Sequence, residues 1–512
     1  MTTTVGDGPL SGAMRRCAAI VLASLMLAVS AAPVATAQVG QPDIVQEHWY
    51  HSYATLTLDV NAWADDYPEI VNLLVVGQTE MGRNLWMLQI SDWSQEIKPD
   101  GTAKEVVYID GGHHGNEHLG TELAFLVAEY YIEGWADGEQ EVLDVLATTE
   151  LHILIMLNAD GNDFDTRWNV NQVDLNRNYD HYWNTCPTTQ PGSSAFSESE
   201  TSANSIYMNG VVPHADLYIT MHTGVWIMLY PWGKWPEQPS DWELFHFIRD
   251  DVHANISDIP IQNANQGLYP NCGTSRDYGY GVMGYPTFTF ETDDEQWLLG
   301  TVEALSERLG EELDVMNYLI ENVWYWRARL VVDSLEVEDG KVHLSVSNLG
   351  RASTSNATLV YSEPISHDSP ECFEVEDCEY IWYPGGFGTL VVGGIAEVPD
   401  SDSCIRGEIE SVWPKDFNFS TPGCGFGVNA TNSTFTTLDF GRAPISGEGR
   451  FYLVYQKRAI DSSQFVWSEA VNESVVEKKA GDSGQLPAPS MLLVFVAFAL
   501  AAINSRNRKF EQ

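Results

Sequence analysis

The chain of 512 residues carries 72 acidic residues against 26 lysines and arginines, a net charge of −46 and a pI of about 4.3. Its hydrophobic fraction of 44%, with 17 Trp and 22 Tyr, excludes a disordered chain, because disordered chains lack such apolar and aromatic content. The scarcity of basic residues argues against nucleic-acid binding, since phosphate contacts need cationic side chains. The length predicts two or three domains.

The first 37 residues have the three parts of a secretory signal peptide. Arg15 and Arg16 precede an apolar stretch over residues 17–33, and the small residues of an A-x-A cleavage site follow at 35–37. The pattern predicts export, with Gln38 as the first mature residue.

Residues 48–325 are predicted to form an α/β domain, because short apolar runs alternate with longer stretches of helical period. The predicted strands cover residues 106–110, 151–157, 217–221 and 286–290, and the predicted helices cover 121–135 and 301–322. Strands that alternate with helices indicate a largely parallel sheet.

The pattern changes to short alternating segments after residue 326, which predicts a β-sandwich over residues 328–475. The predicted strands include residues 330–336, 341–347, 357–361, 389–392 and 451–454. A linker is predicted at 476–485, and an uncharged apolar segment at 486–504 is followed by basic residues. This end is typical of a C-terminal membrane or sorting segment, and it predicts a secreted protein anchored at the cell surface.

Six cysteines remain after removal of the signal peptide, an even number that suggests disulfides in an oxidising compartment. No C-x-x-C pair occurs, which argues against a thiolate zinc site. Division by region suggests the pairs Cys186–Cys272, Cys372–Cys378 and Cys404–Cys424.

The stretch 108–118, YIDGGHHGNEH, places a His/Glu cluster directly after a predicted strand. His114 and Glu117 are three residues apart, so at the start of a helix both would face one cation. The stretch also matches H-x-x-E-H, which would make His114 and His118 the ligands and Glu117 the base. Three glycines around His114 favour a strand-to-helix turn over the continuous helix that this alternative requires.

Further ionisable residues follow the other predicted strands. They occur in the segments 157–161 (LNADG), 166–178 (TRWNVNQVDLNRN), 220–223 (TMHT) and 285–291 (YPTFTFE). Because open α/β sheets bind ligands at the carboxyl ends of their strands, these residues are expected to line one crevice.

This ordered motif set resembles the zinc carboxypeptidases typified by the pancreatic enzymes, over roughly residues 50–322. The resemblance implies a mixed eight-stranded sheet flanked by helices and one Zn²⁺ in the catalytic domain. By motif, the implied zinc ligands are His114, Glu117 and His222. The implied partners are peptide or protein C-termini, while nothing indicates what the β-domain binds.

The resemblance also implies roles around the metal. Glu291 matches the general base that takes a proton from zinc-activated water, and Arg167 matches the arginine that polarises the scissile carbonyl. Asn176 and Arg177 match the pair that grips the substrate's terminal carboxylate, and Tyr269 matches the mobile tyrosine that covers the substrate. A guanidinium suits bidentate carboxylate recognition, which predicts an exopeptidase.

Arg276 falls at the position that lines the base of the side-chain pocket in this family, so acidic C-terminal residues are the expected substrates. Pairing of Arg276 with the adjacent Asp277 would instead leave the pocket neutral. Asn116 replaces an arginine of the pancreatic enzymes, which bears on substrate subsites. The roughly dozen residues between Gln38 and the peptidase are too few for the family's folded pro-domain, so control by such a domain is not expected.

Two other functions stay open at this point. One is amidohydrolysis of cell-wall γ-glutamyl or N-acyl amino-acid bonds, which Arg276 would also suit. The other is a surface-anchored binding module whose peptidase domain is inactive. The presence of all the ligands and of Glu291 favours the metallocarboxypeptidase.

Overall fold

A computed structural model describes most of the chain between Tyr50 and Val471. The described residues are 50–99, 102–187, 190–293, 302–338, 341–364, 380–384, 390–392, 426–439, 450–460, 465–467 and 471. The predicted signal peptide, linker and C-terminal apolar segment lie outside them, as do four of the six cysteines. Cys186 and Cys272 form the predicted disulfide.

A mixed eight-stranded sheet forms the centre of the first domain, with strand order β1-β2-β4-β3-β5-β8-β6-β7. The strands are β1 Val71–Gln78, β2 Asn84–Ile90, β3 Glu105–Gly111, β4 Thr149–Leu154, β5 Leu217–Thr223, β6 Ile227–Tyr230, β7 Ile261–Asn263 and β8 Thr287–Thr292. The four central strands β4, β3, β5 and β8 run parallel to one another, while β1, β2 and β6 introduce antiparallel pairs. The predicted mixed α/β sheet is therefore confirmed.

Helices cover the sheet. They are α1 Tyr53–Asp66, α2 His118–Asp137, α3 Gln140–Thr148, α4 Ala159–Asp163, α5 Ser199–Gly210, α6 Trp242–Asn255, α7 Ala264–Gly267, α8 Ser275–Gly281 and α9 Val302–Glu321. Short 3-10 turns lie at Leu175–Arg177 and Val323–Tyr325.

Alternate residues of each central strand face two different cores, because side chains alternate across a strand. On β3, Val107 and Ile109 pack in one cluster with α1, α2, α3, α6 and α9. Tyr108, between them, packs in a second cluster with Tyr207 and Met208 of α5. The central strands are thus buried on both faces, as parallel sheets require.

The described part of the C-terminal region is β-rich, as the sequence predicts. One sheet has the order β15-β10-β9 and another contains β13-β12-β11-β16-β17, with β14 beside β11. Their bounds are β9 Leu330–Glu338, β10 Lys341–Asn348, β11 Thr354–Pro364, β12 Tyr380–Pro384, β13 Leu390–Val392, β14 Phe426–Val428, β15 Ser433–Asp439, β16 Arg450–Gln456 and β17 Phe465–Trp467. Leu344 of the first sheet and Leu359 and Leu453 of the second share one buried cluster.

Within the ranges given above, no helix combines the length and the apolar composition needed to cross a bilayer. The predicted segment at 486–504 is not part of those ranges, so membrane anchoring stays a prediction.

Candidate metal centre and substrate crevice

The first two candidate ligands lie in a turn that follows β3. Gly112 adopts φ +68°, a left-handed conformation that glycine tolerates best. A Cβ added to Gly115 would lie 2.0 Å from the carbonyl carbon of Gly161, so only glycine fits the close approach of the two backbones. The turn closes with a hydrogen bond from the Glu117 N–H to the His114 carbonyl, 3.2 Å.

The expectation that His114 and Glu117 share a helical face is wrong. Helix α2 begins at His118, and Glu117 is the residue that precedes its first turn. The two side chains converge because the glycine-rich turn bends back on itself, and not through helical spacing.

His114, Glu117 and His222 meet in a buried cluster, with one ligand atom of each lying within 4.8 Å of the others. His114 Nδ1 lies 2.6 Å from Glu117 Oε1, and His222 Nδ1 lies 2.8 Å from Glu117 Oε2. The two ring nitrogens are 3.2 Å apart. Two imidazole nitrogens and a carboxylate oxygen at such separations suit one tetrahedral zinc ion, whose ligands lie about 2.0–2.2 Å from the metal.

Asp174 connects this cluster to the arginines, a role that the sequence reasoning missed. Its Oδ1 lies 3.0 Å from His114 Nε2, and its Oδ2 accepts hydrogen bonds from Arg167 Nε and Nη2 at 3.1 and 3.0 Å. Oδ1 also accepts the backbone N–H of Asn176 at 3.1 Å. Although burial opposes ionisation, the His114 ring and the guanidinium groups of Arg177 and Arg167 hold the pKa of Asp174 well below its usual range. The carboxylate thereby orients one candidate ligand and also holds the Arg167 side chain and the Asn176 backbone.

Glu291 lies beside His222 because β5 and β8 are parallel and pair these two residues in register. Both side chains therefore project from the same face of neighbouring strands, about 4.8 Å apart at the backbone. Burial raises the pKa of Glu291 to about 7, and the Glu117 carboxylate acts in the same direction. Within the described chain no hydrogen bond engages the Glu291 carboxylate.

Arg177 is buried at 7% exposure on the 3-10 turn after Asp174. Its Nη1 donates to the carbonyl of Asn176 at 2.7 Å and its Nη2 donates to the Tyr269 hydroxyl at 3.1 Å. No acidic side chain of the described chain forms an ion pair with it. Tyr269 itself is 51% exposed.

Asn176 bridges the centre and helix α8. Its Nδ2 lies 3.1 Å from His222 Nε2, and its Oδ1 accepts the backbone N–H of Ser275 at 3.0 Å. The first residue of α8 therefore positions this amide.

Arg276 is buried on α8 and is already paired with its neighbour. Nε donates to Asp277 Oδ1 at 2.9 Å, Nη2 to Asn271 Oδ1 at 2.8 Å and Nη1 to Thr289 Oγ1 at 3.3 Å. The charge of the guanidinium is thus balanced, while its Nη groups meet only neutral acceptors.

The other two histidines of the 108–118 stretch point elsewhere. His113 Nε2 lies 2.7 Å from the Tyr179 hydroxyl. His118 Nε2 lies 3.1 Å from Asp165 Oδ1 and its Nδ1 lies 3.0 Å from Asn162 Nδ2. Both ring nitrogens of His118 are engaged away from the cluster, which favours the turn interpretation over H-x-x-E-H.

Comparison with known proteins matches this part of the chain to one family. The family model for zinc carboxypeptidases matches residues 59–307. Carboxypeptidase B of Astacus astacus is 23% identical over 277 residues, which cover 48% of this chain and 86% of that protein. Human mast cell carboxypeptidase A is 27% identical over 289 residues, 49% of this chain and 66% of that protein.

Carboxypeptidase A of Helicoverpa armigera is a similar solved structure, with a TM-score of 0.47, 22% identity, and coverage of 59% of this chain and 80% of that one. The chain spans less than two thirds of several relatives, for example 58% of zinc carboxypeptidase A 1 from Drosophila melanogaster and 63% of bovine carboxypeptidase B. The matched residues contain the whole His/Glu/His cluster. The chain therefore carries a zinc carboxypeptidase domain at residues 59–307.

Proposed function

We propose that this protein removes C-terminal residues from peptides, with His114, Glu117 and His222 as the zinc ligands. When bound, zinc supplies a Lewis acid that polarises the scissile carbonyl and lowers the pKa of a coordinated water molecule. The remaining steps depend on residues of the chain itself.

One observation carries the exopeptidase proposal: Arg177 is a buried guanidinium whose hydrogen bonds go to the neutral Asn176 carbonyl and Tyr269 hydroxyl, and no carboxylate of the described chain lies in ion-pair contact with it. A buried cation is costly unless an anion pairs with it. A peptide's terminal carboxylate would supply that anion. The guanidinium N–H groups of Arg177 and the side-chain NH2 of the adjacent Asn176 would donate hydrogen bonds to the two carboxylate oxygens. An endopeptidase would have no use for such a site.

The proton transfers are assigned to Glu291. Its carboxylate would accept the proton of the attacking water and pass it to the leaving amine, a task suited to a group with a pKa near 7. Nε and Nη2 of Arg167 are held by Asp174, and its Nη1 donates to Glu117 Oε1 at 3.2 Å. Arg167 would donate an N–H to the developing oxyanion from Nη1, in exchange for the bond to Glu117. Donors of this kind are typically worth about 3 kcal/mol each. The Tyr269 side chain is exposed and its hydroxyl accepts a hydrogen bond from Arg177. This side chain would close over the bound C-terminal residue of the substrate.

The test is hydrolysis of a peptide panel with free and amidated C-termini, with and without chelator. Release of single C-terminal residues from free peptides only, abolished by the chelator, supports the proposal. Glu291→Gln should lower kcat by orders of magnitude with zinc content unchanged. Equal cleavage of amidated peptides, or cleavage confined to γ-glutamyl or N-acyl amino acids, contradicts it.

The preference for acidic residues is a finer proposal that depends on Arg276. Asp277 neutralises its charge, but the Nη groups bind only Thr289 and Asn271, which a substrate carboxylate could replace. We expect peptides ending in Glu to be cleaved about tenfold faster than those ending in Gln, the ratio for one added charged hydrogen bond. Preference for Phe or Lys would refute this assignment.

A further inference from the structure

The four residues after β16, 457–460, form a loop that leaves the β-domain and contacts the first domain; we call it the docking loop. Arg458 is fully buried, and its Nε and Nη2 donate to the carbonyls of Gly284 and Ala215 at 2.9 and 3.1 Å. Lys457 Nζ pairs with Asp216 Oδ1 at 3.1 Å. These contacts lie just before β5 and β8, the strands that carry His222 and Glu291.

The backbone of the docking loop makes a second attachment at Asp241. The N–H groups of Ala459 and Ile460 donate to its two carboxylate oxygens at 2.7 and 3.1 Å. Oδ2 also accepts the hydroxyl of Tyr280 at 2.9 Å, and that hydroxyl accepts the Asp241 N–H at 3.1 Å. Asp241 and Tyr280 are both buried, so these bonds are shielded from water.

Tyr280 lies on α8, one turn after Arg276, and the helix begins with the residue that holds Asn176. Gly284, bonded to Arg458, ends the turn that follows the same helix, where its N–H donates to the carbonyl of Tyr280 at 3.2 Å. The docking loop thus holds the C-terminal half of α8 from two sides, while the N-terminal half of α8 faces the substrate crevice.

We propose that the β-domain acts as a support for the substrate pocket, with Arg458, Asp241 and Tyr280 as positioning residues that hold α8 in place. Helix α8 has only seven residues, too short to be stable without tertiary contacts. Its register relative to Asn176 and Arg276 therefore depends on the bonds at its far end. The effect on substrate binding rests on the proposed carboxypeptidase function, whereas the attachment of α8 to the β-domain does not.

The experiment uses the full chain and two variants at the attachment. Arg458→Met removes the bonds to Gly284 and Ala215, and Tyr280→Phe removes a single hydroxyl and is the variant less disturbing to folding. Tyr131→Phe is the matched control, because Tyr131 is equally buried and its hydroxyl has no partner in the described chain. Glu105→Gln is the interface control, since Glu105 pairs with Lys98, Arg327 and Arg329 but makes no bond to α8.

The first readout is amide hydrogen exchange. Both attachment variants should speed exchange across residues 276–285 about tenfold or more, relative to α2 in the same molecule. The second readout is kinetic: KM for a free-C-terminus peptide should rise about tenfold with kcat changed less than threefold, as expected when pocket geometry and not chemistry is disturbed. Both controls should leave both readouts at the wild-type values.

Unchanged exchange at 276–285 in both attachment variants would overturn the proposal, and so would an equal change in Glu105→Gln. If the wild type shows no carboxypeptidase activity, the proposed function fails. The exchange measurement still decides whether the β-domain supports α8.

Discussion

Asp174 offers the sharpest test of the candidate centre, because its carboxylate contacts a candidate metal ligand, His114, and also Arg167. Asp174→Asn preserves size and one oxygen. If the retained oxygen still bonds His114 Nε2 and the Asn176 N–H, the new NH2 group faces Nε and Nη2 of Arg167. An NH2 group is itself a donor, so both hydrogen bonds from Arg167 are lost.

The expected loss follows from these bonds. Hydrogen bonds to a charged group contribute about 1.5–3 kcal/mol each. Because the Arg167 side chain is partly solvent-exposed, losing its two hydrogen bonds to Asp174 should cost about 3 kcal/mol in transition-state stabilisation. This corresponds to a fall in kcat/KM of about 150-fold. Weaker orientation of the His114 ring should also reduce zinc affinity about 10- to 100-fold.

The assay is kcat/KM with saturating zinc, together with a chelator competition for metal affinity. Asp165→Asn is the matched control, because Asp165 contacts the histidine that the H-x-x-E-H alternative would use, at 3.1 Å from His118 Nε2. Wild-type activity in Asp174→Asn, or loss of zinc in Asp165→Asn, would refute the assignment.

Three further outcomes are expected. Gly115→Ala should abolish zinc binding, because its Cβ would collide with the Gly161 backbone at 2.0 Å, whereas Gly210→Ala, which meets nothing within 4 Å, should bind zinc normally in a metal titration. Burial raises the pKa of Glu200 from 4.5 to about 7, so the folded state holds that proton more tightly and this group's contribution to stability falls as pH rises through that window. Glu200→Gln should therefore gain up to about 3 kcal/mol over the wild type between about pH 4.5 and 7 in denaturant titrations, and a constant difference would contradict this sign. The double variant Cys186→Ser/Cys272→Ser should lower the free energy of unfolding by about 2–5 kcal/mol, since the bridge joins residues 86 apart, and an unchanged denaturation midpoint would refute that expectation.

The sequence predicts the candidate site best where an ionisable residue lies at the end of a predicted strand. The β3, β5 and β8 patterns placed His114, His222 and Glu291 at one edge of the sheet, and the structure brings them together. Local spacing is misleading at Glu117, because a separation of three residues from His114 suits both a helix and a tight turn. The close approach of Gly115 to Gly161 selects the turn, and neither sequence segment alone indicates that contact.

Contacts between distant segments could not be predicted. Asp174 belongs to the segment 166–178, yet its contact with His114 spans 60 residues of sequence. The bonds of Arg458 to Ala215 and Gly284 span 243 and 174 residues, and no periodicity or motif indicates such a pair. Adjacency in the sequence suggests Asp277 as a partner of Arg276, and the structure forms that ion pair.

The in-register pairing of His222 with Glu291 has a consequence for folding. Each strand advances about 3.3 Å per residue and alternates faces, so a slip of one position between β5 and β8 would send one of these side chains to the opposite face. The two strands are separated by more than 60 residues of chain, and pairings of such long sequence separation form slowly. Metal capture during refolding should therefore follow completion of the central strands, so a zinc-sensitive dye would report the last steps of assembly and not the first.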